Sequence, residues 1–151
     1  MNIKINKKWR IGILVSEFNF EYTNKLLESC QHELIQQGFP KQNITTVWVP
    51  GAYELPLMAQ KLAQSKRFQA IICLGVIIKG ETSHDRHVAR WAATGIGQVS
   101  LKTGVPILFG VLTPTNEAQA KARVTPGPLN RGEEVARAAL RMIELNQRSF
   151  R

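Results

Sequence analysis

The sequence predicts an α/β fold: one mostly parallel sheet of four strands with helices packed on both faces. Two observations carry this prediction. Four short apolar runs rich in β-branched residues punctuate the chain, and segments with helical spacing fill the gaps between them. Strand and helix therefore alternate along the chain, the pattern of a parallel sheet covered on both sides.

The first run, Ile11–Val15, reads as a strand. Leu27, Cys30, Leu34 and Ile35 then form a helical stripe, and Gly38 suits the position just past its end. Ile44–Val49 is the second strand, followed by a stripe of Leu55, Met58, Ala59 and Leu62. Ala70–Ile78 is a third apolar strand that stops at Lys79-Gly80. A helix begins at Thr82 or Ser83, with its stripe at Val88, Trp91, Ala92 and Val99, and Thr82-x-x-Asp85 has the form of a capping box. Pro106–Leu112 is the fourth strand, and a short helix follows Pro114, around Thr115 to Arg123. The last helix begins after Gly132 and carries Val135, Ala138, Ala139, Met142 and Ile143. The irregular stretch 124–132, with Pro126, Gly127 and Pro128, is either a functional loop or a hinge. No repeat, low-complexity tract or linker intervenes, so one domain is expected over residues 1–151.

With 151 residues the chain has enough length for one full core. Its 44% hydrophobic and 21% charged residues are ordinary for a globular protein. No apolar run approaches the ~20 residues needed to span a bilayer, and the basic N-terminus is not followed by a secretory apolar segment. No membrane partner and a cytoplasmic location are therefore expected. The net charge of +9 invites a nucleic-acid reading, but the cations are spread from Lys4 to Arg151 without interleaved aromatics. No nucleic-acid partner is expected; a positive field that draws in phosphorylated substrates explains the charge as well. Cys30 and Cys73 lie in apolar surroundings without metal-type spacing and read as buried, reduced thiols.

Residues 74–89 are the most informative. Small polar residues, a cation and His84 stand where a buried strand ends and a helix starts. Ligands bind at such edges in open α/β sheets, and the N–H groups of a helix N-terminus favour an anion. Three other strand ends carry non-random residues: Ser16-Glu17-Phe18-Asn19, Val49 to Pro56, and Phe109 to Pro114. In a parallel sheet all four lie along one edge and can converge on one site.

Taken together, Glu-Phe-Asn (17–19), Val-Pro-Gly-Ala-Tyr-Glu-Leu-Pro (49–56), Leu-Gly-Val-Ile-Ile-Lys-Gly-Glu-Thr-Ser-His (74–84), Thr-Gly-Val-Pro-Ile-Leu-Phe-Gly-Val-Leu-Thr (103–113) and Asn-Arg-Gly (130–132) are arranged in one order and spacing. They resemble the 6,7-dimethyl-8-ribityllumazine synthase family, from about Ile11 to Phe150. The resemblance implies a flavodoxin-like three-layer α/β/α sandwich and a cofactor-independent transferase of riboflavin biosynthesis that uses no metal. Such an enzyme joins 5-amino-6-(D-ribitylamino)uracil to 3,4-dihydroxy-2-butanone 4-phosphate.

The resemblance also implies roles. Phe18 stacks on the pyrimidine. Ala52, Tyr53 and Glu54 form the turn that holds the ribityl chain, with the Glu54 carboxylate accepting from its hydroxyls. The backbone of Val76, Ile77 and Ile78 reads the uracil edge. The N–H groups of Glu81 and Thr82 seat the phosphate together with Arg123. His84 is the catalytic base. Phe109 covers the pyrimidine from a neighbouring subunit, Arg131 supplies a cation, and Glu134 orients that cation or His84. Partners are the two small-molecule substrates and further copies of the chain, as pentamers sharing each site or a 60-mer shell of pentamers. Residues 1–10 correspond to an N-terminal arm. One departure stands out: Arg-Val-Thr-Pro-Gly-Pro-Leu-Asn-Arg-Gly (123–132) replaces the family's usual Arg-Ala-Gly-Thr-Lys-Ala-Gly-Asn-Lys-Gly. This loop permits a rival reading, a non-catalytic carrier or shell protein that binds a flavin or lumazine. Intact Phe18, Glu54, His84 and Arg123 favour the enzyme.

Overall fold

The computed structural model describes residues 3–150; Met1, Asn2 and Arg151, the ends of the expected domain and arm, lie outside the described residues. Strands β1 (Ile11–Ser16), β2 (Ile44–Val49), β3 (Ala70–Val76) and β4 (Ile107–Leu112) form one sheet in the order β2-β1-β3-β4. Every neighbouring pair is parallel, with Ile13 in register between Thr46 and Ile72, and Cys73 opposite Phe109. The helices are α1 (Phe20–Gln36), α2 (Leu55–Gln64), α3 (His84–Thr103), α4 (Glu117–Val124) and α5 (Arg131–Asn146). The doubly covered parallel sheet expected from the alternation is what forms.

Alternation along the strands explains the two cores. Ile13, Val15, Ile72 and Leu74 pack with residues of α1, α4 and α5. Leu14, Ile71 and Cys73 pack with residues of α2 and α3. Every residue of β1 and β3 is buried, because helices close both faces of the central strands. Ile3, Ile5 and Trp9 lean on the first core, and the Asn43 amide donates to the carbonyls of Lys7 and Trp9 at 2.7 and 2.9 Å.

Several boundaries differ from the sequence reading. β3 ends at Val76 rather than Ile78. The next residues still follow β4, with Ile77 N–H donating to Leu112 O at 2.8 Å and Lys79 N–H to Pro114 O at 3.1 Å, but they leave the ladder and open the rim. The Thr82–Asp85 capping box does not form; Thr82 Oγ1 accepts from the His84 N–H at 3.4 Å instead. Ile35, Trp91 and Met142, assigned to buried stripes, remain substantially exposed. They sit at the margins of their helical faces, while Leu26, Ile96 and Leu140 occupy the centres. Gly38 does sit just past α1, with φ +88° and the Phe39 N–H returning to Leu34 O.

The 124–132 stretch resolves into a loop and the start of α5. Asn130, buried, caps that helix by accepting from Glu133 N–H at 3.0 Å. Gly132 is required by packing: a Cβ there would stand 2.6 Å from Leu26 O and 2.9 Å from Ser29 Cβ, so only glycine lets α5 meet α1 this closely. Burial pushes the Cys30 thiol up to about 12 and raises Cys73 as well, because a thiolate is costly without water. Among the described residues, no helix is long and apolar enough to cross a membrane.

Candidate active site

The segments at the carboxyl ends of β1, β2 and β3 and the first turns of α3 enclose a cleft of about 740 Å³. Its first wall is made by the exit from β1. Glu17 N–H donates to Val49 O at 2.7 Å and Phe18 N–H to Pro50 O at 3.1 Å, carrying the strand pairing past the strand itself. The chain then turns on Asn19, whose φ of +59° lies in the left-handed region that asparagine tolerates. The Asn19 amide donates to Val76 O at 2.7 Å and pins this turn to β3. Phe18 is thereby held out of the core with 73% of its surface exposed, its ring lining the cleft. A large exposed ring on a rigid turn is a feature that a ligand explains better than packing does.

The second wall is the single 3₁₀ turn Ala52–Glu54, closed by Glu54 N–H donating to Gly51 O at 3.2 Å. Ala52, Tyr53 and Glu54 all line the cleft. The floor is Val76, Ile77 and Ile78, where the chain has left the β3 ladder. The third wall is the entry to α3, with Gly80, Thr82, His84, Asp85 and Val88. Thr82 and His84 are exposed at this wall.

Nine of the residues singled out from sequence thus share one cavity: Phe18, Ala52, Tyr53, Glu54, Val76, Ile77, Ile78, Thr82 and His84. Glu81, Phe109, Arg123, Arg131 and Glu134 do not line it. Phe109 stands part-exposed on the edge strand β4. Arg123 donates to Gln119 O at 3.1 Å within α4, and Arg131 pairs with Glu134 at 2.7 Å at the start of α5, on the α1 side of the sheet. The sequence reading missed Ser16, Asp85 and Val88 as cleft residues; Ser16 closes β1 in the segment already suspected, and Asp85 follows His84.

Chemically, the cleft offers an aromatic face, carboxylates at Glu54 and Asp85, an imidazole, and a helix N-terminus, but, among the described residues, no lysine or arginine. Among the described residues, no cluster of three or more His, Cys, Asp or Glu side chains is arranged to hold a metal ion.

Residues 8–147 match the model of the 6,7-dimethyl-8-ribityllumazine synthase family. Curated proteins called 6,7-dimethyl-8-ribityllumazine synthase, from Coxiella burnetii strains CbuG_Q212 and RSA 493 / Nine Mile phase I, are each 46% identical over 137 residues, covering 91% of either chain. The protein of that name from the Dugway 5J108-111 strain aligns to the same extent.

Proposed function

The chain belongs to the 6,7-dimethyl-8-ribityllumazine synthase family, and we infer that it makes 6,7-dimethyl-8-ribityllumazine in riboflavin biosynthesis. The observation that carries this reading is the meeting of Phe18, Glu54 and His84 in one cleft at the sheet rim.

On this reading the pyrimidine of 5-amino-6-(D-ribitylamino)uracil lies on the Phe18 ring, which stacking favours by ~0.5–1.5 kcal/mol beyond area burial. The ribityl hydroxyls donate to Glu54, and the backbone of Val76, Ile77 and Ile78 meets the uracil edge. The first turn of α3, with Glu81 and Thr82, receives the phosphate of 3,4-dihydroxy-2-butanone 4-phosphate. The amine of the first substrate attacks the ketone of the second and water leaves as the imine forms. His84 takes and returns protons as phosphate is eliminated and the ring closes with loss of a second water. Neither substrate is oxidised or reduced in net terms, so this chemistry needs no redox cofactor.

A phosphate dianion beside two carboxylates needs a cation, and among the described residues the cleft of one chain has none. Arg123 and Arg131 serve it on this reading from an adjacent copy, which also brings Phe109 over the pyrimidine and Glu134 beside Arg131. The functional unit is then a pentamer of single-domain chains spanning residues 1–151, alone or built into a 60-mer, working in the cytoplasm.

Mixing the purified protein with both substrates and following absorbance tests the reading. Appearance of the lumazine chromophore at a rate proportional to enzyme is expected. Tight flavin binding with no turnover would establish the non-catalytic carrier instead.

A further inference from the structure

We propose that Trp91 is a positioning residue for the cleft, holding the ribityl-binding turn at a fixed distance from His84. The inference rests on the synthase reading and deepens it.

Trp91 does not behave as a core residue. It stays 42% exposed, while its neighbour Ala92 and Ile96 on the same helix are buried. Its indole N–H instead donates to the backbone carbonyl of Tyr53 at 3.0 Å. The two rings stack with centroids 5.5 Å apart and planes 29° from parallel. Trp91 therefore grips the one-turn 3₁₀ segment Ala52–Glu54 through both its dipole and its face. Within the turn only two backbone hydrogen bonds act, Glu54 N–H to Gly51 O and Leu55 N–H to Ala52 O, and Tyr53 itself is exposed. Short 3₁₀ turns have poor hydrogen-bond geometry and rely on their surroundings.

Trp91 lies seven residues after His84 on α3. Seven residues are close to two turns of helix, so both stand on nearly the same helical face. One rigid helix thus carries the base at its mouth and the tether two turns below. One turn further on, Gly95 makes close packing against α2 feasible, since a Cβ there would lie 2.7 Å from Pro56 Cβ. Trp91 and Gly95 together dock α3 on the segment 53–56, and Glu54 lies within it. The spacing between Glu54 and His84 is set by this seam, not by either residue.

Trp91→Phe keeps an aromatic face and removes the N–H. Loss of one such hydrogen bond is expected to raise KM for 5-amino-6-(D-ribitylamino)uracil about five-fold. KM for the four-carbon sugar phosphate, whose seat on α3 is untouched, should stay within about two-fold. Trp91→Ala removes the ring as well and should raise the pyrimidine KM further. Trp48→Phe, an indole loss on the opposite sheet face, should change neither. Equal rises in both KM values, or wild-type kinetics in Trp91→Phe with Tm unchanged, overturn the inference while leaving the synthase reading intact. A wild-type protein that forms no lumazine overturns that reading and the inference with it.

Discussion

His84 and the two cysteines make opposite uses of their environment. His84 is open to the cleft at a helix start, where a proton acceptor is reachable. Replacing it by glutamine keeps the size and removes the base. We expect kcat to fall by roughly 10²–10⁴-fold, the usual share of general acid–base catalysis. An unchanged kcat would place the proton transfer elsewhere. Cys30 and Cys73 are sealed in the cores, and burial raises both thiols. Their sign is fixed by linkage: below the ordinary thiol value of 9.0 neither state ionises. Above it the unfolded chain loses protons that the native state keeps, Cys30 up to about 12, so stability falls as pH rises through this window. Urea unfolding at neutral and alkaline pH checks this, and Cys30→Ser/Cys73→Ser should flatten the decline. Ellman's reagent should label neither thiol before unfolding.

Elements show why some of the molecule is legible in sequence and some is not. The strands are plain because β1 and β3 are buried on both sides and carry unbroken apolar runs. Phe18, Glu54 and His84 are legible because parallel topology sends strand ends to one rim, so a local motif already has a location. Trp91 reads as core from its hydrophobic phase, but its partner Tyr53 lies 38 residues away and no periodicity reveals it. The capping box failed because a sequence pattern fixes spacing and not which cap wins. Asn130 and Gly132 were read as site residues or punctuation, and the packing gives them a further duty. Asn130 donates to Ser29 Oγ at 3.0 Å and Thr125 O at 2.9 Å while capping α5, so the altered loop, α1 and α5 are tied at one amide. Asn130→Ala is expected to cost about 2–3 kcal/mol, the sum of a cap and buried bonds left unmade. Gly132→Ala should cost about 1–3 kcal/mol by forcing α1 and α5 apart. Denaturant midpoints measure both; unchanged midpoints would mean the α1–α5 seam is loose.

At the scale of the whole molecule, the proposed reaction asks for groups that the described residues of one cleft do not hold, and the proposed assembly would bring them from another copy. Phe109 is exposed on the edge strand, and Arg123 and Arg131 do not line the cleft, which holds carboxylates and, among the described residues, no cation. Light scattering should give five times the 17.0 kDa chain mass, or sixty times for a shell. Shared sites predict complementation. Co-expressed His84→Gln and Arg123→Ala chains, each inactive alone, should regain roughly a quarter of wild-type activity, because random mixing leaves that share of interfaces with both residues intact. No recovery would confine the site to one chain. The cleft itself is tested most directly by crystals grown with 6,7-dimethyl-8-ribityllumazine. We predict its ring on Phe18, its ribityl chain at the Ala52–Glu54 turn, and His84 at hydrogen-bond reach of the reacting edge. Product bound instead in the groove between α1 and α5 beside His32 and Glu133, with the rim cleft empty, would contradict the account.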